Sequence, residues 1–345
     1  MKKTFAEVVL LARTGLNPRK NFKLGQGNNN YITIKNIKNN TLVIDENTDV
    51  VDDEAIKLIH KRSKIKKGDI LFASIGRMGD MYIIEDDPVG WDINESVFAF
   101  TLDTNIVRQK YFYYIFRVKS TLDYLASNSS GSTFKSIKMN QLKKMTFDIP
   151  PLEKQDQIVA TLDKVCNVIE MRKQELISLD DLIKARFVEM FYGKRYPVVK
   201  WNNVFNTTTG KLDSNAAVDD GVYPFFTCSK EALRIDKYAF DQEALLLAGN
   251  NAAGKYDVKY YNGKFNAYQR TYVLGLKENW SYRLFQYQLE DKLVFLQQQS
   301  LGGLTKYLTL KILGKLDFII PPMDKQKEFE QFVNQVDKSK FIRHY

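Results

Sequence analysis

Ile149-Pro150-Pro151-Leu152-Glu153-Lys154-Gln155 and Ile320-Pro321-Pro322-Met323-Asp324-Lys325-Gln326 are the same sentence written twice, 171 residues apart. The match continues upstream at that offset: Gly131 meets Gly302, Lys135 meets Lys306, Ile137 meets Leu308, Leu142 meets Leu313 and Phe147 meets Phe318. Downstream, Ile158, Leu162 and Val165 meet Phe329, Val333 and Val336. A Pro-Pro pair alone carries little, but one whose apolar phase is kept on both sides points to an internal repeat. The order of expected elements repeats too. Strands at Asp69–Ser74 and Met81–Ile84 surround a Gly76/Gly79 turn, a strand follows at Ser96–Leu102, and helical spacing runs from Asn105 to Ala126. In the second half, Ala244–Ala248 and Val258–Tyr261 flank a Gly249/Gly254 turn, followed by a strand at Ala267–Gly275 and a helix at Tyr282–Leu296.

Proline is tolerated at the start of a helix, where its missing amide has no intrahelical partner. After the first pair, apolar residues fall at Ile158, Leu162, Val165, Ile169, Leu176, Leu179, Ile183 and Met190, with Arg172 at the skipped position. Alternating steps of three and four make a coiled-coil seam. A helix from Glu153 to Tyr192 would span roughly 60 Å, and one from Asp324 to the last residue roughly 33 Å. Antiparallel pairing of the two over the shorter length would leave part of the longer helix for another chain.

Composition removes several classes. The 345 residues are enough for two domains, and 22 Phe, 19 Tyr and 3 Trp are enough to build cores. Cys166 and Cys228 show no paired spacing, and His60 and His344 stand in unrelated contexts, so a disulfide scaffold, a metal centre or a histidine triad has little material. No apolar run is long enough to span a membrane. The opening Met1-Lys2-Lys3 and the apolar stretch Phe5–Ala12 are interrupted by Glu7, which predicts an amphipathic element of a cytoplasmic protein and not a signal peptide. The net charge of +10 divides as +6 over 1–150, −2 over 151–192, +5 over 193–320 and +1 over 321–345. Two basic regions with a nearly neutral spacer suit a polyanionic partner.

Three tempting motifs fare poorly. Gly249-Asn250-Asn251-Ala252-Ala253-Gly254-Lys255 has phosphate-loop spacing, but Tyr256 replaces the magnesium-binding hydroxyl and a strand follows where a helix is needed. Asp148-Ile149-Pro150-Pro151-Leu152 lacks the spacing and the aromatic residue of a methyltransferase base-holding motif. Glu243 with Asp257-Val258-Lys259 is too loose a pattern for a nuclease. The basic run Lys61-Arg62-Ser63-Lys64-Ile65-Lys66-Lys67 reads first as a solvated face, with phosphate contact as the other reading.

The repeat, the Pro-Pro-x-x-x-Gln junctions and the seam helix together resemble the specificity subunit of type I restriction–modification systems. The resemblance runs over nearly the whole chain. Its segments are Thr14-Gly15-Leu16-Asn17-Pro18-Arg19, Tyr31-Ile32-Thr33-Ile34-Lys35-Asn36-Ile37 and Gly68-Asp69-Ile70-Leu71-Phe72-Ala73-Ser74-Ile75-Gly76 in the first half. In the second they are Tyr223-Pro224-Phe225-Phe226-Thr227, Leu246-Leu247-Ala248-Gly249-Asn250-Asn251 and Gly263-Lys264-Phe265-Asn266-Ala267.

The resemblance implies an α+β fold: two target-recognition domains in tandem (1–150 and 196–320), each followed by a helix (151–195 and a shorter 321–345). The helices would pair as an antiparallel coiled coil with pseudo-twofold symmetry. It implies a non-catalytic subunit that reads a bipartite site in double-stranded DNA. Two modification (methyltransferase) subunits would dock on the helices, and restriction (endonuclease/translocase) subunits would join them. This chain would bind no metal or cofactor; S-adenosylmethionine, ATP and Mg would be used by the partner subunits. Expected DNA-facing residues are Arg77, Lys135 and Lys138, then Asn250, Asn251, Lys255, Gln269, Arg270 and Lys306, with Arg and Gln suited to bases and Lys to phosphates. Asn250 and Asn251 could equally cap their turn. Expected docking-helix residues are Gln155, Ile158, Leu162, Val165, Ile169, Leu176, Leu179 and Ile183, with Gln326, Phe329, Val333 and Val336. Family members usually end in a second helix about as long as the first, so the short tail leaves a truncated subunit that no longer assembles as one alternative. A stand-alone DNA-modifying enzyme is the other.

Overall fold

A computed structural model describes residues 1–38, 41–131, 134–251, 254–303 and 305–342, with side chains to residue 340. The chain divides into two compact units, Met1–Glu170 and Met171–Tyr345.

The first unit carries β1 (Val9–Thr14), β2 (Asn29–Ile32), α1 (Asp53–Ser63), β3 (Ile70–Ala73), β4 (Met81–Ile83), β5 (Trp91–Ile93), β6 (Val97–Leu102), α2 (Gln109–Ile115) and α3 (Lys119–Ser127). The four-stranded sheet has the order β1-β6-β3-β4, antiparallel throughout. A three-stranded sheet places β2 between Val50–Val51 and a parallel partner, β5. The central strands β3 and β6 are short apolar runs buried on both faces, which is why they read as unbroken Ile-Leu-Phe-Ala and Val-Phe-Ala-Phe. Buried between the sheet and the helices is an aromatic core of Phe5, Phe72, Phe100, Phe112, Phe116 and Phe147.

α1 follows the chemistry of helix ends. The Asp52 side chain accepts the Ala55 amide at 2.8 Å, acids occupy the first turn, and Lys61 and Arg62 occupy the last. At the sheet edge Arg13 donates to Asp69 at 2.7 Å and to Thr101 at 2.6 Å, so a buried ion pair ties β1 to the Gly68-Asp69 turn.

α4 (Leu152–Phe191) is one 40-residue helix, and the division between the units falls inside it. The second unit continues with β7 (Phe205–Thr209), β8 (Tyr223–Phe226), β9 (Phe240–Ala248), β10 (Val258–Ala267), β11 (Thr271–Leu276), α5 (Tyr282–Asp291), α6 (Leu293–Gln299) and α7 (Met323–Ile342). Its sheet has six strands in the order β7-β11-β9-β10-β8, closed by Leu233–Ile235.

The two topologies correspond, with two strands of the first unit fused into one in the second. β1, β6, β3 and β2 match β7, β11, β9 and β8, and β4 with β5 match the single long β10. The parallel pairing Tyr31↔Asp92 of the first unit recurs as Phe225↔Asn266 in the second. A Cβ on Gly15 would lie 1.6 Å from the Ile93 carbonyl oxygen, and one on Gly210 would lie 1.7 Å from that of Ala267. The same crossing of backbones therefore demands glycine twice. The segments leading into the repeat also match, since Lys2–Thr4 pairs with Thr146–Asp148 as Val198–Lys200 pairs with Asp317–Ile319.

In the second unit α7 runs antiparallel to α4. Arg186 meets Glu328 at 2.8 Å, and Arg172 donates to the Lys340 carbonyl at 2.7 Å. Ile183, Met190 and Phe191 bury Phe329, Val333 and Val336, with Leu284 and Tyr287 of α5 closing the cluster. Along the rest of the seam Leu176 and Leu179 are half-buried, as are Ile158 and Leu162 in the first unit. Val165 and Ile169 are each 50% exposed.

Three expected elements are corrected. The helix placed over Asn105–Ala126 is two, α2 and α3, broken at Val118, whose backbone is extended. Both short helices cover one core, so the apolar spacing runs on across the break. The helix placed over Tyr282–Leu296 breaks at Lys292, whose amide caps α5 as the next helix begins. Lys292 lies 5.4 Å over the Phe318 ring, and burial lowers its pKa. The opening apolar stretch is a strand (Lys2–Thr4), one helical turn (Phe5–Val8) and β1, not a single amphipathic element.

Candidate nucleic-acid interface

In each unit the loop after the central strand is clamped to the loop that precedes the Pro-Pro junction. In the first unit the Ile137 amide donates to Ser74 O at 2.9 Å and the Gly76 amide to Lys135 O at 3.0 Å, while Ser130 and Ser136 exchange bonds at 2.9 and 2.8 Å. In the second, the Leu308 amide donates to Gly249 O at 2.8 Å, Asn251 faces Lys306 in register, and Leu301 and Tyr307 exchange bonds at 3.0 and 2.8 Å. Gly131 (φ 113°) and Gly302 (φ 101°) turn the two clamping loops. A Cβ there would lie 2.3 Å from Phe134 O and 2.2 Å from Thr305 O. This physical constraint underlies the Gly131/Gly302 match in the sequence.

Arg77, Lys135 and Lys138 all belong to the first loop pair, and all are exposed. In the second unit, Asn250, Asn251, Lys255 and Lys306 belong to the equivalent pair. The Gln269–Arg270 turn adjoins it, because Arg270 O accepts the Gly249 amide at 2.8 Å. Gln269 and Arg270 are exposed, though the Gln269 amide group reaches Asp213 at 3.1 Å. Asn251 does cap its turn: its Oδ1 accepts the Lys255 amide at 3.3 Å. Lys306 donates to Gly302 O at 2.9 Å. The loop is followed by β10, so Gly249 and Gly254 serve backbone geometry, and Lys255 is not a nucleotide-loop lysine. A Cβ on Gly249 would lie 2.3 Å from Arg270 O, and Gly254 has φ 66°.

Sequence reasoning missed several neighbours. A cleft of about 290 Å³ beside Asn250 and Asn251 is lined by Ser214, Thr227, Ser229, Tyr268 and Thr305. The counterpart of the Gln269–Arg270 turn in the first unit is Glu95–Ser96, where Ser96 O accepts the Ser74 amide at 3.1 Å. Phe134, at the tip of its loop, is 71% exposed. The usable signal was the repeat itself, since each position found in one half names its counterpart in the other.

Gln155 and Gln326 hold the helix starts. Gln155 accepts the Arg108 amide at 2.8 Å and donates to the carbonyls of Ile106 and Pro150, each at 2.8 Å. Gln326 accepts the Ser281 amide at 3.1 Å and donates to Pro321 O at 2.8 Å. Both are buried, so the Gln of each Pro-Pro-x-x-x-Gln junction fastens a helix to its own domain and is not presented to a partner.

The nuclease-like pattern does not assemble. Glu243 pairs with Asn262, five residues beyond Asp257, about 17 Å along the strand. Glu243 accepts the Tyr260 hydroxyl at 2.7 Å, and Asp257 holds Lys259. Among the described residues no group of three or more His, Cys, Asp or Glu side chains could hold a metal ion, and no helix is long and apolar enough to cross a membrane.

Residues 1–180 and 194–343 each match the type I restriction modification DNA specificity domain. The EcoDI type I restriction enzyme specificity subunit of Escherichia coli is 34% identical over 152 residues, covering 42% of this chain and 33% of that protein. The MjaIX specificity subunit of Methanocaldococcus jannaschii is 32% identical over 85 residues, 25% of this chain and 20% of that protein. The matched stretches thus span a third or less of these relatives. The crystal structure of the type I restriction-modification S subunit from M. genitalium superposes with a TM-score of 0.60 at 14% identity, covering 99% of this chain and 90% of that one. A chain from a structure on assembly and conformational transition of the type I restriction–modification system gives 0.51 at 16% identity, covering 99% and 91%. With the same clamped loops in both halves and both halves matched, this chain belongs to the type I restriction modification DNA specificity domain family.

Proposed function

We propose that the chain is the DNA-reading, non-catalytic subunit of a type I restriction–modification complex. The domains over 1–150 and 196–320 each read one half of a bipartite duplex site, and the helices over 151–195 and 321–345 set the spacing between the halves. The observation that carries this reading is that a DNA specificity domain occurs twice, each time with a basic, glycine-turned loop pair clamped onto a rigid sheet. Rigid sheets with variable loops suit base readout, because the scaffold holds register while the loop side chains change.

Arg77 and Arg270 are the candidates for guanine edges and Gln269 for adenine. Lys135, Lys138, Lys255 and Lys306 are the candidates for phosphates, and Asn250 lies beside them. Modification subunits dock on the helices, where Val165, Val168 and Ile169 leave apolar surface 50%, 60% and 50% exposed. Restriction subunits join that core. S-adenosylmethionine, ATP and Mg belong to those partners.

Incubation of the purified chain with duplex DNA, Mg and S-adenosylmethionine is expected to give neither methyl transfer nor cleavage. Co-expression is expected to bring a modification subunit down with it. Turnover by the chain alone, or failure to retain a modification subunit, would overturn the proposal.

A further inference from the structure

The two units share a buried position at which they differ in charge. In the second unit Asn266 is 4% exposed, its Oδ1 accepts the Ala267 amide at 2.9 Å, and its Nδ2 donates to Lys237 O at 2.9 Å. In the first unit the equivalent residue is Asp92, fully buried, whose Oδ1 accepts the Ile93 amide at 2.7 Å. An amide side chain therefore meets the backbone requirement of this fold, and a buried carboxylate is the more expensive choice. The remaining oxygen of Asp92 shows what the charge serves. It accepts Ser63 Oγ at 2.8 Å and faces His60 Nδ1 at 3.0 Å, both on α1, a helix that among the described residues has no counterpart in the second unit. Burial raises the Asp92 pKa, while the Ser63, Ile93 and His60 bonds favour the ionised form.

Nδ1 of His60 faces Asp92, and the side chain is still 55% exposed. It borders a cleft of about 690 Å³ between α1 and the turn before β5. Lys57, Lys61 and Lys64 line the same cleft: the first two lie one turn apart on α1, and Lys64 is the left-handed residue that ends it. Among the described residues none of the three has a carboxylate within 4.0 Å. Trp91, half-buried and packed against the core around Ile32 and Ile93, also lines the cleft. Three unpaired ammoniums, an imidazole directed by a buried carboxylate and an indole face are the parts of a phosphate-ester site.

We propose that this cleft binds a phosphate ester, with Lys57, Lys61 and Lys64 supplying charge, His60 hydrogen-bonding the phosphate, and Trp91 offering its face to the attached nucleoside. Two sources share that chemistry: the backbone of a bound duplex and a free nucleotide. The first rests on the DNA-reading function; the second does not.

The test uses the full chain, titrated with dAMP while tryptophan emission is followed, and separately with a random-sequence duplex over a range of salt. The variants are Asp92→Asn, which installs the residue the second unit already tolerates, and the triple variant Lys57→Ala/Lys61→Ala/Lys64→Ala. Asp92→Asn is expected to fold with an unlowered melting temperature and to weaken the phosphate ligand about tenfold. A saturable dAMP signal weakened about tenfold in Asp92→Asn and lost in the triple variant identifies a free nucleotide as the source. If dAMP gives no signal, but the triple variant lowers the salt slope of duplex binding by about two to three, the source is the DNA backbone. Wild-type protein that binds dAMP but no duplex would keep this site and overturn the DNA reading. Unchanged dAMP and duplex binding in both variants would overturn the site.

Discussion

The two units are one architecture with two different surfaces. Gly15 and Gly210, Gly131 and Gly302, and Gln155 and Gln326 do the same physical work in each, and all of them manage backbone. The differences lie where side chains face outward: Glu95–Ser96 against Gln269–Arg270, Phe134 against Thr305, and α1, which among the described residues has no counterpart in the second unit. The repeat keeps what closes the sheet and clamps the loops, and varies the outward-facing residues of those loops. α4 shows a parallel contrast along its own length. Its second half buries Ile183, Met190 and Phe191 against α7, while Val165 and Ile169 in its first half stand half-exposed.

The sharpest way to break the equivalence is at the shared glycines. Gly15→Ala and Gly210→Ala each push a Cβ into backbone of β5 or β10 that cannot yield, and each is expected to destabilise its own unit by about 5 kcal/mol. Limited proteolysis followed by mass spectrometry would show whether only the mutated half opens. Next in size, Phe329→Ala empties the centre of the α4–α7 cluster and is expected to lose about 4 kcal/mol in urea titration. Val165→Ala is expected to stay within about 0.5 kcal/mol. Equal losses would mean that the two halves of α4 are not differently covered. Gln155→Ala strips one backbone amide and two carbonyls of their partner, and Gln326→Ala one of each, for about 2 kcal/mol apiece by thermal unfolding. The smallest effects belong to Lys135→Ala and Lys306→Ala. Each is expected to lower the slope of log binding constant against log salt by about one while leaving melting unchanged.

Much of this was legible in the sequence because repeats report on constraint. Gly131/Gly302 and the Pro-Pro-x-x-x-Gln junctions mark positions where a Cβ or a missing amide partner would not be tolerated, and the long helix follows from its seam. The breaks at Val118 and Lys292 were not legible, because two helices that cover one core keep the apolar period across the break. Nor was the fusion of two strands into β10, which depends on a register set by distant partners. The Asp92–His60 contact was hidden for the same reason: nothing in the order of residues says that positions 32 apart will meet inside a cleft. That Arg77, Lys135 and Arg270 stand exposed on these loops was legible from residue type and spacing, and Glu95 only from its counterpart.

The most direct measurement is a map of methylated adenines in cells carrying this chain with its partner subunits, compared with cells in which it is deleted or carries Arg270→Ala. The account predicts a bipartite motif, methylated in both halves, that vanishes on deletion. The Arg270→Ala substitution should relax one half of that motif and leave the other unchanged. A motif that survives deletion, or one whose two halves change together in the Arg270→Ala cells, would contradict it.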